Sequence, residues 1–211
     1  MNQVMVAVEG ISDEGAVRSI LREFNLTVHL TLGRNGKAAL LSKISAYNDS
    51  AKYMPWFVLV DLDSPDTCIV EKLRQWMPNP SEYMLFRVAV SELEAWLLAD
   101  REAIAQFLGV SVDRVPRNPD SLKDPKQEII NLARRSRRRE IREGLVPRQG
   151  SGVAIGPTYA SDIRNFGESM WRPKVAAEES PSLSRCLRRV EELANKLYKN
   201  TDALKDHLRE T

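Results

Sequence analysis

The sequence has very few of the residues on which several kinds of catalytic or structural site depend. Two histidines among 211 residues, His29 and His207, leave little room for chemistry built on a histidine base. The two cysteines, Cys68 and Cys186, match neither a zinc motif nor a disulfide framework, so we expect two reduced thiols. No apolar run approaches the length of a membrane span, and no signal peptide is visible, so we expect a cytoplasmic protein without a membrane partner.

Hydrophobic patterning divides the chain into two parts. In the first part, short apolar runs alternate with helical patterns, which predicts an α/β fold with a parallel four-strand sheet covered on both faces. The predicted strands are 4–8, 26–32, 56–63 and 83–90, and the predicted helices begin near residues 13, 38, 64 and 91. From about residue 111 the strand signal fades, and helical patterns over 126–143 and 180–208 flank a glycine-rich loop, 148–157. We therefore expect an α/β core over residues 1–110 and a mainly helical, basic extension over 111–211 that packs on it.

Acidic residues stand where three of the four predicted strands end. Glu9 follows the first strand, Asp61 and Asp63 end the third, and Glu92 and Glu94 follow the fourth. Because the carboxyl ends of parallel strands lie along one edge of a sheet, we expect these side chains to meet there. Crowded carboxylates repel one another, and a hard divalent cation such as Mg²⁺ relieves that repulsion. The pattern indicates a metal site at this edge.

Several acids near these strand ends also have a structural explanation. Asp63 precedes a Ser-Pro pair and would begin a turn, and Asp61 would cap the following helix. Asp13 and Glu14, behind a Ser12 cap, suit the first turn of a helix, where the dipole favours negative charge. Ser91 and Glu94 have capping-box spacing, which leaves Glu92 the better candidate ligand of that pair.

Two segments carry a family resemblance. "VAVEGISDE" followed by "VLVDLDSPD" resembles the Toprim fold of topoisomerases, bacterial primases and the old-family nucleases. "VSELEAWLLAD" and "WRPKVAAEESPSLSR" are similar to a Toprim-related family of bacterial proteins, often encoded beside an ATPase of the structural-maintenance type. The zinc-ribbon and helicase regions of primases have no counterpart here, and no gyrase-like tyrosine can be assigned.

The resemblance implies phosphodiester chemistry with Mg²⁺ or Mn²⁺. Carried over, the catalytic residues are Glu9, Asp61 and Asp63, and the old-family nucleases place a further acid at the position of Asp13. Asp13 and one of Glu92 and Glu94 would complete the metal shell. The resemblance also implies an ATPase partner and a role in defence against phage.

Basic residues indicate a polyanionic partner. The loop "GRNGK" follows the second predicted strand, where Arg34 or Lys37 could neutralise a phosphate, although a plain turn explains it as well. Five arginines fall on one side of a continuous helix and could grip a nucleic-acid backbone, or form a solvated face. These are Arg134, Arg135, Arg138, Arg139 and Arg142.

Three functions fit these features. We expect first a metal-dependent nuclease of Toprim type that hydrolyses DNA or RNA, with the ATPase partner that the resemblance implies. The alternative is a catalytically silent module that binds a metal or a partner through the acidic edge. A phosphotransferase-like or nucleotide-processing enzyme would use the same acids.

Overall fold

The structure, a computed structural model, describes residues 2–62, 69–89 and 92–209. Asp63 and Ser91, two residues named in the sequence predictions, lie outside these ranges, as does Cys68. Within them, every helix is either too short or too polar to cross a membrane.

The described residues form four strands, eleven α-helices and two 3₁₀ turns. The strands are β1 Gln3–Val8, β2 Thr27–Gly33, β3 Trp56–Asp61 and β4 Met84–Ala89. The helices of the first part are α1 Asp13–Arg22, α2 Lys37–Leu41, α3 Ile44–Ser50, α4 Ile69–Trp76, α5 Leu93–Ala99 and α6 Arg101–Leu108. Those of the second part are α7 Pro125–Arg134, α8 Arg139–Leu145, α9 Tyr159–Ser169, α10 Pro173–Glu179 and α11 Pro181–Arg209, after 3₁₀ turns at Val112–Arg114 and Pro119–Ser121. The predicted α/β class and the helical second part are confirmed.

The four strands form one sheet in the order β2-β1-β3-β4, and every neighbouring pair is parallel. The pairing of β1 with β2 ends at Val8 opposite Gly33, and the pairing of β3 with β4 ends at Asp61 opposite Ala89. All four carboxyl ends therefore lie on one edge, as the sequence predicts.

Alternate side chains of β1 and β3 enter two separate hydrophobic clusters. Val6 and Leu59 belong to the larger cluster, which also contains side chains of α1, α5 and the helices of the second part. Val58 and Val60 belong to the smaller one, with side chains of α2 and α3. Because both faces are covered, β1 is apolar from Val4 to Val8 and β3 from Trp56 to Val60, rather than alternating.

Helices α1 and α9 cross with their backbones almost in contact. A Cβ atom at Gly15 of α1 would lie 1.8 Å from the carbonyl oxygen of Arg164 in α9. A Cβ atom at Gly167 would lie 2.8 Å from the backbone nitrogen of Ala16. The two glycines thus let a helix of the second part dock directly on the α/β part.

Two predicted helices of the first part are interrupted. The expected helix over about 38–47 is two short helices, α2 and α3. The expected helix over 91–109 breaks between α5 and α6 at Asp100, whose fully buried carboxylate accepts bonds from the backbone nitrogens of Ala103 and Arg172 and from the Arg172 guanidinium. Asp100 therefore begins a second helix and anchors the second part of the chain instead of continuing the first helix.

Candidate active site

The chain reverses its direction across the sheet between β1 and β3. From β1 it moves outward to β2, and it then returns to the other side of β1 to form β3 and β4. Parallel sheets bind ligands in the crevice beyond the strand ends at such a switch point. Glu9 directly follows β1 and Asp61 is the last residue of β3, so both lie at this crevice.

Glu9 and Asp61 are in direct contact. The backbone N–H of Asp61 donates to Oε1 of Glu9 over 2.8 Å. The ammonium of Lys37 lies 3.8 Å from the same oxygen. The first glutamate is therefore held against the end of the third strand, as a shared site requires. Asp63, its predicted companion, lies outside the described residues.

The Asp61 carboxylate contacts the start of α5, the helix that follows β4. Its Oδ1 accepts a hydrogen bond of 3.0 Å from the backbone N–H of Leu93, the first residue of α5. Burial raises the pKa of Asp61 well above its ordinary value, and the negative charges of Asp13, Glu94 and Glu9 raise it further. The positive charge of Lys126 lowers the pKa of Asp61. Three other carboxylates are thus close enough to repel Asp61.

Asp13 belongs to this group although it opens α1. Its Oδ2 accepts from the backbone N–H of Gly10 over 2.8 Å, and its Oδ1 accepts from the Ser12 hydroxyl over 2.9 Å. Burial raises the pKa of Asp13, and these hydrogen bonds lower it in part. The carboxylate is therefore turned back onto the loop after β1.

Glu94 is not engaged in a capping box. The N-cap residue of α5 is Glu92, one residue later than the spacing of Ser91 and Glu94 requires, so Glu94 occupies the second helical position. Its side chain is 2% exposed, and its Oε1 accepts from the hydroxyl of Tyr159 over 3.1 Å. Burial raises the pKa of Glu94 to about 7, with further contributions from Glu92 and Asp13. Glu94, rather than Glu92, is among the carboxylates that raise the pKa of Asp61.

Glu92 turns toward the second part of the chain. Its Oε2 accepts from the backbone N–H of Lys126 over 3.0 Å, and its Oε1 lies 3.4 Å from the Lys126 ammonium. The same ammonium lies 3.5 Å from Oε1 of Glu94. The fourth-strand acids are therefore both paired with a cation from α7.

The sequence did not indicate Lys126 or Tyr159 as site residues. Asp124 and Pro125 are a recognisable helix start, and the Asp124 side chain accepts from the backbone N–H of Gln127 over 2.7 Å. That signal predicts where α7 begins. Only the tertiary structure shows that the first turn of α7 lies beside Glu92 and Glu94. Tyr159 opens α9, a helix that the sequence prediction did not include.

The donor chemistry of the edge suits a hard divalent cation. Among the described residues, no three histidine, cysteine, aspartate or glutamate side chains are placed to hold a metal ion as a group. Mg²⁺ commonly uses only one or two carboxylates and keeps water as its other ligands. The residues that could hold such an ion are Glu9, which accepts from the Asp61 backbone, and Asp61, whose negative surroundings a cation would offset.

The basic loop after β2 faces the protein's own acids. Arg34 forms an ion pair with the buried carboxylate of Glu14, which Arg164 of α9 also approaches within 3.2 Å. The backbone nitrogens of Arg34 and Gly36 donate to the carbonyl oxygens of Val8 and Glu9. These backbone donors hold the loop against β1, and a phosphate contact by the Arg34 or Lys37 side chain stays a prediction.

The arginine-rich segment is not one continuous helix, and that prediction is wrong. Helix α7 ends at Arg134 and α8 begins at Arg139. The turn between them is held by Ser136, whose hydroxyl accepts from the backbone of Arg138 and whose carbonyl accepts from the guanidinium of Arg142. The arginines therefore surround an exposed corner instead of lining one helix face.

The corner arginines differ in how firmly they are held. Arg134 donates to the side chain of Asn131 and Arg138 to the carbonyl oxygen of Phe107, while Arg139 pairs with Glu143. Arg135 and Arg137 are exposed. The corner presents positive charge to solvent at the far end of α7, whose second residue is Lys126.

Comparison with protein-family models, with functionally described proteins and with solved structures gives no match to this chain.

Proposed function

We propose that the protein is a metal-dependent nuclease that hydrolyses phosphodiester bonds of DNA or RNA, with Glu9 and Asp61 at its centre and Mg²⁺ or Mn²⁺ as its cofactor. The observation that carries this proposal is the contact between Glu9 and the end of β3 at the switch point of the sheet. Asp13 and Glu94 add negative charge around Asp61, which a divalent cation would offset.

The residues of the edge support this chemistry in separate ways. A cation bound by Glu9 and Asp61 would polarise a phosphodiester and lower the pKa of a bound water. The backbone of Asp61 orients Glu9, and the backbone of Leu93 orients Asp61, so each carboxylate is fixed by a hydrogen bond from the main chain. Such fixed orientation is what catalytic groups require.

The exposed corner around Arg135 and Arg137 supports a nucleic-acid substrate. Arginine binds phosphate oxygens through a planar array of donors, and its charge attracts a polyanion over several ångströms. An ATPase partner, and a role in defence against phage, are part of the same proposal and rest on the sequence resemblance alone.

Nuclease activity is tested with the purified full chain on supercoiled plasmid, linear duplex DNA, single-stranded DNA and RNA, with Mg²⁺, with Mn²⁺ and with chelator. We expect metal-dependent cleavage of at least one substrate. Asp61→Asn should reduce it about 100-fold or more, since a metal site contributes several kcal/mol to the transition state. The matched control is Asp49→Asn at an exposed position paired with Lys52. Equal activity of Asp61→Asn and wild type would contradict the proposal, and metal binding without cleavage of any substrate would favour the silent binding module.

A further inference from the structure

Lys126 occupies a position among the carboxylates that a metal ion would otherwise share. Its ammonium lies 3.4 Å from Glu92 and 3.5 Å from Glu94. Its charge also lowers the pKa values of Asp61 and Asp13. A single ammonium therefore interacts with four of the acids at this edge.

Three features hold Lys126 in this position. Its backbone N–H donates to Glu92, so the main chain is fixed to the same carboxylate as the ammonium. Asp124 caps the helix start immediately before it, and Pro125 fixes the first helical residue. Ile129 and Ile130, one turn later, are buried in the main hydrophobic cluster. The backbone of Lys126 is thus fixed beside Glu92, and its side chain, 36% exposed, places the ammonium near Glu92 and Glu94.

The electrostatic balance at Lys126 shows which partners hold its charge. Burial alone lowers the pKa of Lys126, but the attraction of Glu94, Glu92 and Asp61 outweighs it, and the pKa lies above the ordinary value for lysine. The ammonium is therefore charged at neutral pH. A divalent cation placed beside it, between Glu92 and Glu94, would be repelled by this like charge.

We propose that Lys126 is the resident cation of the Glu92 and Glu94 side of the site, so that the protein binds one divalent ion, beside Glu9 and Asp61, where an all-carboxylate edge would bind two. This inference rests on the proposed metal-dependent function and specifies its cofactor count. Glu92 and Glu94 then act on the site through Lys126 rather than as metal ligands.

The count is measured by titrating the full chain with Mn²⁺ and following free Mn²⁺ by electron paramagnetic resonance. We expect one bound ion for the wild type. Lys126→Met removes the ammonium and keeps a side chain of similar length, so this variant should bind a second ion. Lys126→Arg, which retains the positive charge, should bind one. The control is Lys123→Met, at an exposed position three residues earlier, which should also bind one.

Each outcome bears on the inference. Two ions in the wild type, or one ion in a folded Lys126→Met variant, would overturn it and leave the metal-dependent function in place. No bound ion in the wild type would overturn both. A count of one without nuclease activity would contradict the proposed function but not the inference. Should Lys126→Met fail to fold, the wild-type and Lys126→Arg counts still decide between one ion and two.

Discussion

The acidic edge has two halves that are built differently. In the strand half, defined as Glu9, Asp13 and Asp61, every carboxylate accepts a backbone N–H, from Gly10, Asp61 or Leu93. The Ser12 hydroxyl and the Lys37 ammonium add side-chain contacts to Asp13 and Glu9. In the helix half, defined as Glu92, Glu94, Lys126 and Tyr159, carboxylates are oriented by side chains from α7 and α9 and by the main chain of Lys126.

This difference assigns different roles to the two halves. Backbone N–H donors carry no net charge, so they orient a carboxylate without neutralising it, which suits a group that must bind a cation. In the helix half, the Lys126 ammonium pairs with Glu92 and Glu94, and the Tyr159 hydroxyl donates to Glu94. These carboxylates therefore already have partners from the protein itself. The α/β part therefore supplies the proposed metal site, and the helical part supplies the charge and hydrogen bonds that enclose it.

The largest effect is expected from separating the two halves. Gly15→Ala would place a methyl group against the backbone of Arg164 and force α9 away from α1. We expect a loss of about 3 kcal/mol or more in the free energy of unfolding, measured by urea denaturation. Gly10→Ala is the control, because the nearest atom to its Cβ would lie at 3.4 Å, and it should change stability by about 0.5 kcal/mol at most. A wild-type stability for Gly15→Ala would contradict the described docking of α9 on α1.

The titration of Glu94, in the helix half, should make the stability of the protein depend on pH. The Glu94 pKa of about 7 in the folded protein exceeds the ordinary value of 4.5, so the folded state holds more protons than the unfolded state between these pH values. Stability of the metal-free protein should therefore fall as pH rises through this window, by up to about 3 kcal/mol from Glu94 alone. In chelator, Glu94→Gln should flatten this dependence, whereas Glu143→Gln, at an exposed position, should not. An unchanged slope in Glu94→Gln would contradict the electrostatics described for the helix half.

A smaller effect is expected within the helix half alone. Tyr159→Phe removes the hydroxyl that donates to Glu94 and leaves a buried carboxylate with one fewer donor. We expect a loss of about 1–3 kcal/mol in stability with no change in the number of Mn²⁺ ions bound. Tyr53→Phe, at a side chain 86% exposed, is the matched control and should have little effect. A changed Mn²⁺ count in Tyr159→Phe would mean that Glu94 contributes to the metal site directly.

The same contrast explains what the sequence could predict. Glu9 and Asp61 were placed correctly because the ends of parallel strands share an edge, and strand ends are visible as the point where an apolar run stops. Lys126 lies 34 residues after Glu92, beyond α5, α6 and two 3₁₀ turns, so no local pattern connects them. Tyr159 follows the glycine-rich loop and has no periodic pattern that marks it as a site residue.

The interrupted helices show a second limit of sequence reasoning. Helical periodicity in the sequence continues through Asp100 and through the arginine-rich segment. In the structure, a helix ends at each of these two places. In each case a tertiary or local hydrogen bond decides the break: Asp100 binds Arg172, and Ser136 binds Arg138 and Arg142. Aspartate and serine can bond to nearby backbone in this way, and the choice depends on partners that the periodic pattern does not contain.

The most direct test of the central claim is the effect of Mn²⁺ on thermal unfolding of the wild type and of Asp61→Asn. At a Mn²⁺ concentration about 100 times the dissociation constant, binding should stabilise the wild type by about 3 kcal/mol and raise Tm by on the order of 5–10 °C. Asp61→Asn should show no Mn²⁺-dependent increase, while its metal-free Tm stays at or above that of the wild type because a repelled charge has been removed. An equal increase in both proteins would contradict the claim that Glu9 and Asp61 together bind a divalent cation.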